Sequence, residues 1–161
     1  MSLFDRRSLL ILPLALAACG FTPVYAPGGT AAALRGQVTV QDPATREGFL
    51  LLQELETRLG RGNGTYALAY DLSITEEGLG ITRTGDITRF NLVGQVDYTL
   101  FDFATETVIF RGTTTNFTGY SATGDTVEAL AAERDARARL MRILADQITT
   151  ELYAQVTLPA S

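Results

Sequence analysis

The chain has 161 residues, 46% hydrophobic and 19% charged, a composition that suits one globular domain and not a disordered chain. Its formal net charge is −5; all 13 basic residues are Arg, and there is one Cys and no His or Trp. That excludes general nucleic-acid binding, an internal disulfide, Cys–His dyads, catalytic triads and ordinary zinc sites, so the reading is a non-enzyme without metal or cofactor.

The N-terminus reads as an address. Arg6 and Arg7 precede an apolar run, Ser8 to Ala18, that is too short to cross a bilayer as a helix, which takes about 20 residues. Its dimensions match a secretory signal. Leu16-Ala17-Ala18-Cys19 resembles the bacterial lipobox, so Cys19 is the expected site of lipid attachment and residues 1–18 the part removed. Several acyl chains on one residue anchor a protein stably where a single chain does not. Gly20, not Asp, at the second mature position resembles lipoproteins sorted to the outer membrane. Arg6-Arg7-Ser8-Leu9-Leu10 is an incomplete twin-arginine pattern, which leaves the export route open. Residues 19–34 read as a tether, since Pro23, Pro27, Gly28 and Gly29 oppose regular structure. Phe21, Val24 and Tyr25 make it more apolar than a plain linker requires.

A folded domain is expected over residues 35–158. Gly36 to Gln41 alternates as a short strand, and Asp42-Pro43 predicts a helix start with Asp42 as N-cap. That helix runs to Leu59 with Leu52, Leu55 and Leu59 on one stripe. Gly60-Arg61-Gly62-Asn63-Gly64 follows a helix and opens a strand, so it reads as a helix C-cap and turn, not a phosphate loop. Thr65 to Thr75 places Tyr66, Leu68, Tyr70, Leu72 and Ile74 on one face, and a turn is expected at Glu76 to Gly80. In the next strand Phe90, Leu92, Val96, Tyr98 and Leu100 share a face. Ile81 and Ile87 have the opposite parity, so a β-bulge is expected between Ile87 and Phe90.

After a turn over 101–107, Val108 to Tyr120 forms the last strand, rich in Thr. Asp125 and Glu128 give a capping-box-like start to a long helix whose apolar stripe is Val127, Leu130, Met141, Leu144, Ile148 and Leu152. The pattern predicts an α+β fold: a two-layer sandwich in which two helices cover one face of a four-stranded, mostly antiparallel sheet, in the order β-α-β-β-β-α. The other face stays open, and Val93, Phe101, Ile109 and Phe117 are candidates to make it a docking surface. Asp71 and Asp97 are expected to meet across strands on a polar face.

Cys19-Gly20-Phe21-Thr22-Pro23-Val24-Tyr25, "TRFNLVGQVDYTLFD" at 88–102 and "AERDARARLMRILADQITTEL" in the last helix resemble the alphaproteobacterial form of the LptE family. That resemblance implies an outer-membrane lipoprotein, with its domain on the periplasmic side inside the lumen of the β-barrel protein LptD. There it plugs the barrel, assists its assembly and helps deliver lipopolysaccharide to the outer leaflet. Contact with a phosphate-rich lipid calls for Arg, and Arg83, Arg89 and Arg111 are the candidates. The alternative is an accessory lipoprotein subunit of an envelope ABC-type lipid transporter.

Overall fold

Seven elements follow in the computed structural model, which describes residues 29–62, 64–81 and 87–158, with 80 and 81 in backbone only. They are α1 (Thr30–Leu34), β1 (Val38–Val40), α2 (Arg46–Leu59), β2 (Tyr66–Ile81), β3 (Ile87–Asp102), β4 (Val108–Ser121) and α3 (Thr126–Gln155). The sheet order is β1-β2-β3-β4. β1 runs parallel to β2, with Val38 opposite Tyr66, as its crossover through α2 requires; the remaining pairs are antiparallel. The fold is therefore the expected two-layer α+β sandwich with the order β-α-β-β-β-α, preceded by the short α1.

Strand periodicity builds the core. Leu68, Leu92, Val96, Tyr98 and Leu100 point from the sheet toward α2 and α3, which contribute Leu51, Leu55 and Leu59, and Leu140, Met141, Leu144, Ile148 and Leu152. Each such aliphatic side chain contributes about 1.5–3 kcal/mol on burial. On β4 the inward row is more polar. Thr118 Oγ1 donates to Ala136 C=O at 3.1 Å, and Thr114 Oγ1 donates to Gln147 at 2.8 Å, so these buried hydroxyls are satisfied against α3.

Several local expectations are corrected. α1 lies within the segment read as tether, and its Ala31 and Leu34 are buried in the core. α2 is capped by Thr45, whose Oγ1 accepts Gly48 N–H at 3.0 Å, and not by Asp42. Gly36 turns the chain before β1 at φ 72° instead of extending it. Strand β2 continues through Glu76–Gly80 to Ile81, so the expected turn there is absent. The anticipated phase shift is real: the pairing skips Thr88 on β3, and it also skips Leu79 on β2. A further bulge doubles Ile109 and Phe110 against Leu100, which turns Ile109 onto the core and removes it from the open face. Val127 and Leu130 are 74% and 43% exposed, because the buried stripe of α3 begins only at Ala136.

Other expectations hold. Gly60 ends α2 at φ 82° with its N–H on Glu56 C=O, and Asp125 caps α3 by accepting the N–H groups of Val127 and Glu128.

Candidate binding surfaces

The uncovered sheet face is the first surface. Asp71 and Asp97 are register partners across β2 and β3, as their spacing predicts. Thr113 Oγ1 donates to Asp97 at 2.6 Å and Gln95 Nε2 donates at 3.2 Å; these bonds, Thr113 first, hold the Asp97 carboxyl below the usual carboxylate range. Asp71, Asp97 and Thr113, with Gln41, Arg111 and Thr99, line a shallow cavity of about 470 Å³. Two apolar patches interrupt the polar rows. Val93 sits opposite Phe117, and Phe101 with Phe103 borders Ala67 and Ala69. Phe117 and Phe103 are about two-thirds exposed (65% and 66%).

A second surface is the groove of about 560 Å³ between α1, α2 and α3, where Arg35, Arg58, Asp146, Thr150 and Tyr153 converge. Arg58 bonds Glu54 at 2.7 Å and approaches Asp146 at 3.5 Å, and Tyr153 Oη donates to Arg58 C=O. The Arg58 hydrogen bond, against some desolvation, lowers the Glu54 carboxyl. Sequence reading missed this groove because its lining is drawn from the end of α1, from α2 and from the distant α3; Arg58 in the last turn of α2 was the only local signal.

A third feature joins the layers at the opposite end. Arg137 of α3 reaches Glu133 at 2.9 Å, Glu76 at 3.2 Å and Glu47 at 3.5 Å. Glu76 also accepts from Tyr120 Oη at 3.0 Å, and burial and then Glu76 push that phenol up to about 12. Deeper in, Tyr98 donates to Glu151 across the interface, and burial first, then Glu151, drives the phenol far above the usual tyrosine range.

Cys19 and Arg83 lie outside the described residues. Arg89 and Arg111 are both exposed, but the structure does not bring them together. Arg89 pairs with Ser121 and Arg111 with Thr99, ten positions apart along β3. At ~3.3 Å per residue that is about 33 Å. No group of three or more potential metal ligands occurs among the described residues.

Fold and surfaces together define a class: a two-layer α+β domain with one sheet face left uncovered, the fold also found in bacterial lipoproteins. A lipoprotein from Caulobacter crescentus CB15 is similar at 24% identity and TM-score 0.64, over 78% of this chain and 94% of its own. A minor lipoprotein from Acinetobacter baumannii is similar at 20% identity and TM-score 0.60, over 77% and 97%. At these identities the likeness establishes the fold. No protein of curated function matches the chain in sequence. The family model "LptE: Lipopolysaccharide-assembly" matches residues 36–152, and the chain belongs to that family. It is a family of lipopolysaccharide-assembly proteins and not of enzymes.

Proposed function

We propose that this protein is an outer-membrane lipoprotein, anchored through a lipid on Cys19, that plugs the lumen of the β-barrel protein LptD. In this reading it assists assembly of the barrel and helps deliver lipopolysaccharide to the outer leaflet. The family match over residues 36–152 carries the reading.

Two physical features support it. A barrel lumen is polar and water-filled, and the uncovered sheet face presents Asp71, Ser73, Gln95, Asp97, Thr99, Arg111 and Thr113. The 30 residues of α3 make a rod of about 45 Å. That is comparable to the ~40–45 Å of a bilayer with its headgroups. Lipopolysaccharide contact is proposed at Arg83, Arg89 and Arg111, with Arg89 and Arg111 acting separately given their spacing.

The test is affinity capture of the tagged full-length chain from membranes. Recovery of an outer-membrane barrel is the expected result; recovery of an inner-membrane permease complex instead refutes the reading. Cys19→Ala should release the protein from salt-washed membranes without disturbing its fold, and unchanged retention would count against the anchor.

A further inference from the structure

The far edge of the sheet leaves backbone groups unpaired. Ala122 N–H donates to Thr88 C=O at 3.0 Å, which sets the ladder so that even-numbered residues of β4 bond toward β3. The backbone groups of Arg111, Thr113, Thr115, Phe117 and Gly119 therefore point away from the sheet. Two of these are satisfied within the molecule: Asn116 Oδ1 accepts Phe117 N–H at 2.8 Å, and Arg139 donates to Gly119 C=O at 3.2 Å. Between Arg111 and Thr115 no such cap occurs among the described residues.

Past Arg111 the stretch carries none of the charge, Pro or bulge that usually blunts natural edges. Arg111 is the one charged residue in β4, which contains no Pro, and its bulge lies before Arg111. The other edge differs. Where β2 outruns β1 the Gln41 side chain accepts Tyr70 N–H at 3.3 Å, and although the edge is open beyond it, Glu76 and Glu77 charge it and the register breaks at Leu79.

The surroundings of the open edge specify what would pair with it. On the helix side a new strand would run beside Phe110 and the flank of α3. Arg139 and Gln147 of that flank both bond β4, and the half-buried Ile143 lies one turn from each on the same side. On the open side the strand would run beside Arg111, Thr113 and Thr115. An alternately apolar and polar strand fits, with a carboxylate near Arg111; alternation is the pattern of barrel strands. In a closed barrel every strand is already paired on both sides, so only a strand not yet closed into the wall has a free edge to offer.

We propose that the β4 edge from Arg111 to Thr115 pairs, by backbone hydrogen bonds, with an extended strand of the partner barrel before that strand closes into the wall. This rests on the barrel-plug reading above and adds to it a templating role during assembly.

The test uses the full-length lipidated chain in growing cells. A photo-crosslinker in place of Thr115 should capture newly made barrel protein, with the product fading as the barrel matures. The same reporter in place of Gln53, exposed on α2 and away from both sheet edges, should not give this transient product. Thr115→Pro removes an outward N–H without breaking the ladder to β3, a position where Pro is tolerated. It should lower recovery of newly made barrel by at least about fivefold, the equivalent of one lost hydrogen bond. Crosslinking to a second copy of this chain, transient crosslinking no stronger than at Gln53, or undiminished recovery with the Pro variant would each overturn the proposal. If the unmodified chain recovers no barrel at any stage, it is the plug reading that fails.

Discussion

Gly112 of β4 is where the packing of the two layers can be tested most sharply. Its neighbour across the ladder is Tyr98, 2% exposed, whose ring crosses over position 112 to reach Glu151 on α3. A Cβ at Gly112 would press on the Tyr98 hydroxyl and lie 2.5 Å from Cζ and 3.0 Å from Cε1. The backbone there is not left-handed, so Ala is conformationally permitted. Chain entropy alone then predicts that Gly112→Ala stabilises by about 0.4–1 kcal/mol.

The contact argues the opposite. Forcing a methyl into a filled site costs about 1–3 kcal/mol. Displacing Tyr98 also weakens its bond to a carboxylate, worth about 1.5–3 kcal/mol. A net loss of about 3 kcal/mol follows, which at ~1.5–2 kcal/mol per molar of urea lowers the unfolding midpoint by roughly 1.5–2 M. Gly119→Ala is the control: its Cβ meets only Phe90 C=O at 3.4 Å, an ordinary contact, so its midpoint should stay or rise slightly. In Tyr98→Leu the added methyl has less to displace, so the double variant should cost less than the sum of the singles. A neutral or stabilising Gly112→Ala would refute the wedged position of Tyr98.

Thr45→Ala should cost about 1 kcal/mol by removing the α2 cap, while Asp42→Ala should leave the urea midpoint nearly unchanged; the reverse would restore the start read from Asp42-Pro43. Arg137→Ala should cost about 1–2 kcal/mol by releasing Glu47, Glu76 and Glu133, and the penalty should shrink in 1 M salt; a salt-independent penalty would point to lost packing instead. The phenols of Tyr70, Tyr98 and Tyr120 are raised chiefly by burial. Folding therefore favours their neutral form, a contribution fully present below pH ~10 and lost as pH rises toward and beyond about 12, the value for Tyr120. Urea midpoints at pH 9 and pH 11.5 should fall accordingly, with tyrosinate absorbance lagging behind unfolding controls; a flat profile would contradict the buried phenols.

Why the sheet was legible and its details were not follows from how each is encoded. Two-residue alternation from Tyr66 to Ile74 and from Leu92 to Leu100 is repeated over enough positions to name both the strands and their inward face. Bulges are single-residue events. The one at Thr88 left a trace because apolar residues flank it on both sides, whereas the one at Ile109–Phe110 hid in a run apolar at every position. α1 was invisible because five residues, mostly Ala, carry no periodicity; only its packing of Ala31 and Leu34 on the core defines it. Val127 and Leu130 had the right spacing for a buried stripe, but spacing cannot say where a helix outruns the surface it covers. The groove at Arg58 and the β4 edge depend on residues far apart in the chain, or on backbone direction, and neither is written in a local pattern.

The arrangement also separates the two jobs proposed for the molecule. α1 bonds to Val156 through Thr30, and the chain just after it bonds to Leu59 through Gly36, so α1 sits where α2 and α3 end. The start of α3, by contrast, lies about 45 Å away along its 30 residues. The proposed lipid on Cys19 would then fix which end faces the membrane surface. Arg89 belongs to the far end and Arg111 to the start of β4, about 33 Å apart along the sheet. One lipid phosphate cannot engage both. If each contacts lipopolysaccharide, Arg89→Ala and Arg111→Ala should weaken its binding to the purified protein additively, within about 0.3–0.5 kcal/mol. Coupling well beyond that would mean a single ligand spans both positions, which the separation allows only for a long molecule laid along the strands.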